Sequence, residues 1–321
     1  MKKEDKTFEH KTSDDNFLRF SHEAMMAIFE IVIEHDDKAV AASAAREAFE
    51  AIDKLEARFS RFISNSEISA LNSLPANTSM YVCPDTFAVL EAAKKYHART
   101  DGLFDITMGV LFKCWFDKDR KLRTPTEPEL AVARSKVGVK HIKLDDEDYS
   151  VSLAVDNMTL DLGGIGKGYA IDKAVEILKE WGIKKAMVIG GFSSIYALGK
   201  PTGEKGWLVS CSDPADKTKV LSYISLADQS LSSSGLARGR HIIDPRNGTP
   251  ILSDKVSAWV ISDNATGGDC LSTAIMLMNA KELQAFLQKF PELQVMQTSV
   301  TEKDGKKIYK YERFGDGFTK E

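Results

Sequence analysis

Apolar residues recur along the chain in two rhythms, which together predict a protein of mixed helices and strands. Between Lys38 and Phe59, the residues Ala45, Phe49, Ile52, Leu55 and Phe59 fall at three- and four-residue steps. That spacing lines one face of a long amphipathic helix. Pro84–Thr100 repeats the pattern with Phe87, Leu90, Ala93 and Tyr96, and Pro84 suits a first helical position. Tyr169–Trp181 places Ile171, Ala174, Ile177, Leu178 and Trp181 on one face. Helices are also predicted over Asp269–Met278 and Lys281–Phe290. Short apolar runs predict strands at Met25–Ile33, His141–Leu144, Ser150–Ala154, Thr159–Leu162, Ala186–Ile189, Trp207–Cys211 and Val256–Ser262. Gln294–Val300 and Lys307–Glu312 are expected to form a terminal hairpin. Residues 1–17 read as a polar, mobile leader. Residues 118–137, charged and holding Pro125 and Pro128, read as a surface excursion. The sequence contains neither an internal repeat nor a Ser/Gly-rich linker. Residues 18–321 are therefore expected to form one intertwined α+β unit with mixed or antiparallel sheets and packed helices.

Composition narrows the classes. Of 321 residues, 43% are hydrophobic and 28% charged, values of an ordinary globular protein and not of a disordered chain. The net charge of −4 speaks against nucleic acid as the main partner, because that binding rests on Lys and Arg neutralising phosphates. Cys83, Cys114, Cys211 and Cys270 form no C-x-x-C pair, so they read as reduced structural residues. The first fifteen residues carry nine charged side chains, unlike a signal peptide. The longest apolar stretch, Ala24 to Ile33, is interrupted by Glu30 and is too short to span a membrane. A cytoplasmic location is expected.

Three segments concentrate chemistry. The first is Asp161-Leu-Gly-Gly-Ile-Gly-Lys-Gly-Tyr-Ala170, between a predicted strand and a predicted helix. Glycines at such a junction let the backbone approach a ligand, and free N–H groups at a helix start suit an anion. The segment is not a Walker A loop, since Asp161 stands where that pattern needs Gly and Gly168 replaces its Ser/Thr. The second is Gly267-Gly-Asp-Cys-Leu-Ser-Thr273. Asp269 and Thr273 are four apart and share a helix face. One carboxylate and one hydroxyl make the sparse hard-oxygen set that Mg²⁺ accepts when a substrate phosphate completes it. The third is Ser232-Ser-Ser-Gly235 followed by Arg240-His-Ile-Ile-Asp-Pro-Arg-Asn-Gly248. His241 there is a candidate general base near neutral pH. No G-x-S-x-G or H-E-x-x-H occurs, which argues against a serine hydrolase or a zinc hydrolase. Plainer readings exist for each: a tight glycine turn, an acid capping a helix, and a turn-rich hairpin holding a hydrogen-bonded histidine. Two further polar segments, the loop Arg58 to Asn72 and Asp101-Gly-Leu-Phe-Asp-Ile-Thr107, belong beside them.

Together these segments resemble the bacterial FAD:protein FMN transferases, the ApbE-type flavin transferases, over roughly residues 22 to 280. The parts stand in the family's order: the Met25 strand, the Ser60–Asn72 loop, Gly102–Asp105, Asp161–Ala170, Gly190-Gly191, the Ser-Gly and His-Ile-Ile-Asp-Pro segment, and Asp269 with Thr273. The resemblance implies an ApbE-like fold. It also implies Mg²⁺- or Mn²⁺-dependent transfer of FMN from FAD to a Thr or Ser hydroxyl of a target flavoprotein, with release of AMP. It implies that Gly164 (through its carbonyl), Asp269 and Thr273 hold the metal, and that Lys167 adds a point charge at the pyrophosphate. Met25, Phe62, Leu103, Phe104, Asp105, Asp161 and Ile243 would line the FAD site, with His241 as the base. The chain departs from the family pattern at Phe192-Ser193-Ser194 after the glycine pair, in the Ser232–Ser234 run, and at Met25-Met26-Ala27. Two other uses of the same site stay open: hydrolysis of FAD to FMN and AMP, and FAD binding without turnover.

Overall fold

The computed structural model describes residues 8–11, 17–117, 119, 121–213, 218–236, 241–251, 253–303 and 306–318. The chain opens with antiparallel strands β1 (Phe8–Lys11), β2 (Phe17–Ala24) and β3 (Ala27–Glu34), then α1 (Lys38–Phe59). It continues through α2 (Glu67–Ser73), β4 (Ser79–Tyr81), α3 (Pro84–Arg99), α4 (Gly109–Trp115), α5 (Glu127–Arg134), β5 (Ile142–Asp145) and β6 (Ser150–Leu153). Next come α6 (Gly166–Glu180), β7 (Ala186–Gly190), β8 (Ser194–Leu198), β9 (Trp207–Ser212), β10 (Val220–Leu226) and β11 (Gln229–Gly235). The short pair β12 (Ile243–Asp244) and β13 (Thr249–Pro250) precedes β14 (Lys255–Ser262), α7 (Ala265–Leu277), α8 (Ala280–Lys289), β15 (Gln294–Lys303) and β16 (Lys306–Phe314).

The described chain divides into two compact units. The first takes its residues from 1–56, 167–237 and 254–321, the second from 57–166 and 238–253. Two of the four boundaries fall inside α1 and in the first turn of α6, where no linker marks them in the sequence.

The first unit is built on a nine-stranded antiparallel sheet, ordered β1-β2-β3-β7-β8-β11-β14-β15-β16. Period-two alternation divides its side chains between two faces. Leu18 and Phe20 of β2 lie opposite Ile33 and Ile31 of β3, all buried. His22, on that same face, stacks on Phe49 of α1 at 5.1 Å and pairs with Asp53 at 2.8 Å. The other face gathers Val32, Ala197, Leu231, Trp259 and Ile261 under the β9–β10 ribbon, whose Trp207, Val209, Ile224 and Leu226 complete an apolar cluster. Helix α7 packs on β8, β11 and β14. It is buried almost throughout and is anchored at both ends. Asn264 caps it by accepting the Gly267 N–H at 2.7 Å, and the Asp172 carboxylate of α6 accepts the Ala265 and Thr266 N–H groups at 2.8 Å each. At the other end the Lys255 ammonium donates to the carbonyls of Ile275 and Met278, where a cation suits the helix dipole.

The second unit joins a three-stranded sheet, β4-β6-β5, to helices α2 to α5. Its apolar cluster holds Leu111, Phe116, Leu130, Ala133 and Ile243.

Several elements differ from those the sequence predicts. Met25 and Met26 are not strand residues. They form the two-residue turn between β2 and β3, at φ 50° and 58°, a geometry that matches strand twist but usually selects Asn or Gly. Thr159–Leu162 forms no strand beyond one parallel bridge from Thr159 to Met108. The Asn72 side chain replaces a strand neighbour there, accepting the Leu160 N–H at 2.7 Å and donating to its carbonyl at 3.0 Å. The excursion at 118–137 contains α5, started by a Thr126–Glu129 capping box with Pro128 in the first turn, and it buries Leu130 and Ala133. Lys118 and Arg120 lie outside the described residues. The Arg58 to Asn72 loop turns helical at Glu67, where Ser66 caps α2 by accepting the Ser69 N–H. Of the leader at 1–17, residues 1–7 and 12–16 lie outside the described residues, while Phe8–Lys11 pairs with β2 and Phe17 begins β2. None of the described helices is long and apolar enough to cross a membrane.

Asp172 holds the α7 start from a distance in sequence, so Asp172→Ala leaves two N–H groups and the Thr266 hydroxyl unpaired. We expect a loss of about 2 kcal/mol, and about half that for Asp172→Asn, which keeps an acceptor. Urea denaturation would show it as a lower midpoint at unchanged slope.

Candidate active site

Asp269 is not a helix cap. It lies in the second turn of α7, past the Asn264 cap, with its residue only 7% exposed. Three elements of the first unit converge on its carboxylate. The Gly168 N–H, from the first turn of α6, donates to Oδ2 at 2.8 Å. The Ser194 hydroxyl, opening β8, donates to Oδ1 at 2.5 Å. The Ser232 hydroxyl of β11 lies buried beside it and also helps to hold the carboxyl down. Burial pushes the Asp269 carboxyl above the ordinary carboxylate range, while the Lys167 ammonium, the Ser194 hydroxyl and the Gly168 amide pull it back down. Asp172 shares this tension. Its carboxyl is also raised by burial, with Asp269 adding repulsion.

The helix can come this close to the sheet because β11 presents hydroxyls to it. Ser230 and Ser232 are fully buried on that face, and Ser234 bonds Ser272 at 2.9 Å and Thr273 at 3.0 Å. A Cβ on Gly268 would stand 2.6 Å from the Ser232 Oγ, so glycine is required there. Thr273 also donates to the Asp269 carbonyl at 3.1 Å. The Asp269–Thr273 stripe thus faces a row of hydroxyl oxygens. Lys167 and Gly168 reach it because α6 starts three residues earlier than the periodicity predicts, inside the glycine-rich segment.

The donors suit a hard divalent cation. One buried carboxylate and the Thr273 and Ser232 hydroxyls are all oxygen, and burial holds the carboxyl above its ordinary range. Among the described residues no three His, Cys, Asp or Glu side chains cluster as a metal cage would need. A cation here would depend on its substrate for further ligands.

The second unit holds the other predicted residues except Met25. Gly164 lies in the turn just before α6. Asp161 receives the Arg61 Nε–H at 2.8 Å on Oδ2 and the Gly163 N–H at 2.9 Å on Oδ1. Phe62 stands 63% exposed, with the Arg61 guanidinium 4.3 Å from its ring centre. Lys113 of α4 donates to the Thr159 hydroxyl at 3.2 Å; its ammonium is held below the usual lysine range by burial and the Arg61 charge, against an opposing pull from Asp161. In the Gly102–Asp105 turn, Leu103 and Phe104 are buried and give their N–H groups to the Thr100 carbonyl and hydroxyl. The Asp105 carboxyl, buried and accepting from the Thr107 N–H and hydroxyl, is raised by burial. His97 fastens the turn through Nδ1 to the Phe104 carbonyl at 2.9 Å.

His241 is exposed, just before β12. Trp115 and Arg134 tie its hairpin to the second unit by donating to the carbonyls of Gly248 at 2.7 Å and Asn247 at 3.0 Å. Asp244, three residues on, is engaged by Arg246 at 2.6 Å. The Ile243 side chain packs into the apolar cluster of that unit. Arg240 lies outside the described residues. Met25 occupies the β2–β3 turn of the first unit.

Arg61, Lys113, Asp172 and Ser194 carry no role in the sequence reading. The Ser232–Ser234 run stands out there, but without its place beside Asp269, because hydroxyl side chains seldom fill a central strand.

The ApbE family profile matches residues 25–297. The FAD:protein FMN transferase of Haemophilus influenzae is 30% identical over 263 residues, 76% of this chain and 75% of that protein. That of Salmonella typhimurium is 30% identical over 219 residues, 63% of this chain and 61% of the other. Among solved structures, the flavin transferase ApbE from Vibrio cholerae shares the fold with a TM-score of 0.80 at 24% identity, over 92% of this chain and 96% of that one. The ApbE protein from Thermotoga maritima gives 0.78 at 27% identity, over 88% and 94%.

A Cβ at Gly168 would collide with the Ala265 carbonyl and backbone. Gly168→Ala must therefore push the α6 start away from α7 and withdraw the amide from Asp269. The expected result is a fall in thermal midpoint of about 1.5–3 °C, consistent with a loss of about 1–2 kcal/mol in a chain of this size.

Proposed function

The chain belongs to the ApbE family, and on that premise we propose that it transfers the FMN part of FAD to a Thr or Ser hydroxyl of a flavoprotein. The acceptor oxygen forms a new bond to the FMN-side phosphorus, and the phosphorus–oxygen bond to AMP breaks. The acceptor proton passes to a base, and AMP leaves. The observation that carries this reading is the buried Asp269 carboxylate, set among hydroxyls beside the Lys167 ammonium. Such a group is of little use to stability, and it suits a substrate whose charge arrives with a cation.

Phosphoryl transfer needs positioning and charge neutralisation more than covalent help from the protein. Asp269 and Thr273 are the residues we assign to Mg²⁺, which when bound would neutralise the pyrophosphate. Lys167 supplies a fixed positive charge on the same carboxylate's surroundings. Ser194 and Gly168 hold the Asp269 oxygens in place, so little reorganisation accompanies loading. We assign His241 to accept the hydroxyl proton, since imidazole serves as a base near neutral pH and an unassisted alcohol is a weak nucleophile. The acceptor is a flavoprotein segment bearing Thr or Ser.

Incubation with FAD, Mg²⁺ and a target domain carrying a Thr-containing flavinylation motif tests the reading. Covalent FMN on the target and stoichiometric AMP are expected. FMN and AMP without labelling would make water the acceptor and overturn the transferase. Asp269→Ala is expected to reduce turnover at least about 10³-fold, and His241→Ala to slow transfer while leaving FAD affinity within about threefold. EDTA is expected to stop the reaction.

A pH dependence follows. The folded protein holds the Asp269 proton above the ordinary value of 3.8, so a cation binding there must displace it. Apparent Mg²⁺ affinity should rise as pH climbs through the raised value and level off above it. Calorimetric titration of Mg²⁺ from about pH 5 to 8 measures the slope, which Asp269→Asn should flatten.

A further inference from the structure

We propose that Arg61 is a positioning residue for the planar rings of FAD, fixing both the carboxylate and the aromatic ring that meet them. The inference rests on the function proposed above and goes beyond it, since neither the motifs nor the family resemblance gives this residue a role.

The geometry lies wholly within the second unit. Arg61 stands in the loop between α1 and α2, with its side chain only 13% exposed. Its Nε–H donates to Asp161 at 2.8 Å. Its guanidinium carbon lies 4.3 Å from the Phe62 ring centre and 5.7 Å from that of Phe112. One planar group therefore performs two tasks, and Phe112 of α4 backs it. Lysine has no such plane, so it could pair with the carboxylate but not brace the ring.

What the pair presents defines the ligand. Each oxygen of Asp161 already accepts one hydrogen bond, from Arg61 or Gly163, and keeps lone-pair capacity for another. An ionised carboxylate only accepts, so its partner must be an N–H or O–H donor. Phe62 is 63% exposed although the Arg61 guanidinium lies against its ring. An exposed ring beside an acceptor suits a flat heteroaromatic group with an N–H at its edge. FAD carries two such groups, the adenine with its exocyclic amine and the isoalloxazine with its ring imide. Arg61 and Lys113 together set two cations against one carboxylate, so the local charge stays favourable to a ligand that also carries phosphate.

If Arg61 acts through Asp161 and Phe62, its loss should weaken binding and leave chemistry nearly intact. We expect Arg61→Ala to raise the FAD Kd and KM about 10- to 100-fold while kcat changes less than about threefold. Arg61→Lys should recover part of the affinity, through the carboxylate alone. The double variant with Asp161→Asn should be weaker than either single variant by much less than the product of their effects, as residues acting as one unit require. Arg58→Ala, which removes a nearby cation paired with Asp85 at 3.3 Å, should leave KM unchanged and so control for net charge. Titrations with AMP and with FMN separately identify the ring: the nucleotide whose affinity falls with Arg61→Ala carries it.

An FAD Kd within twofold of wild type in Arg61→Lys and Arg61→Ala would overturn the inference while labelling by the wild type stood. So would a fall in kcat at constant KM, or full multiplicative effects in the double variant. A wild-type chain that neither binds FAD nor labels a target would overturn the proposed function and this inference with it. Circular dichroism and thermal midpoints establish that each variant is folded, and should Arg61→Ala fail that check, Arg61→Lys alone decides.

Discussion

Placing a carboxylate inside the first unit imposes a constraint that its neighbours satisfy together. A buried carboxylate without donors would cost several kcal/mol, so the groups that surround it must be held in place by the fold. Asp269 recruits a backbone amide from α6 and a hydroxyl from β8, elements far apart in sequence. Both can reach it only if α7 lies close to α6 and to β8, with β11 beside it. That closeness in turn requires glycine at 168 and 268, where a methyl group would meet a carbonyl or a serine hydroxyl. It also requires short side chains on the facing strand, which Ser230, Ser232 and Ser234 provide. The Asn264 cap, the Asp172 clamp and Lys255 then hold the helix along its length.

The same constraint explains what could be read from sequence. Helix α1 was fully legible, from Lys38 to Phe59, because a single apolar stripe faces the sheet and polar residues face outward. The terminal hairpin was legible for the corresponding reason of alternation. Strand β11 was not. Its face toward α7 is made of serines, so the expected apolar alternation is missing, yet those serines are buried. Helix α7 was shortened at its start because Thr266-Gly267-Gly268 reads as a breaker, whereas the glycines are there for close approach. Strand β2 has no predicted counterpart, because Arg19, Ser21 and Glu23 interleave with Leu18, Phe20 and Ala24 and leave no continuous apolar run. Thr159–Leu162 failed in the opposite sense: it is apolar enough for a strand, but the Asn72 amide satisfies its backbone.

The candidate site divides along similar lines. Asp161, Lys167, Asp269 and Thr273 were found because glycines and charges fall together in short segments. Their partners were not, because each is brought in by a contact between distant segments. Ser194 meets Asp269 across 75 residues, Asp172 meets Thr266 across 94, and Arg61 meets Asp161 across 100. Nothing local distinguishes Ser194 from other serines or Arg61 from other loop arginines. Ile243 shows the limit of transfer by motif: its place in the His-Ile-Ile-Asp-Pro segment is kept, but its side chain belongs to a core cluster with Leu111 and Leu130. Its backbone is what remains for a ligand.

Two buried acids so near one another raise a question of charge. Asp172 and Asp269 are each pushed up by burial, and Asp269 raises Asp172 further. The two are supported differently. Asp172 spends its oxygens on the amides and hydroxyl at the α7 start, where the helix dipole favours a negative group. Asp269 has the Gly168 amide, the Ser194 and Ser232 hydroxyls and the field of Lys167. It also shares its helix face with the Thr273 hydroxyl, whereas the Asp172 oxygens are taken up by the α7 start. On the proposed function that placement makes Asp269 the cation's carboxylate, while Asp172 stays structural. A bound cation would offset the effect of burial that raises the Asp269 carboxyl.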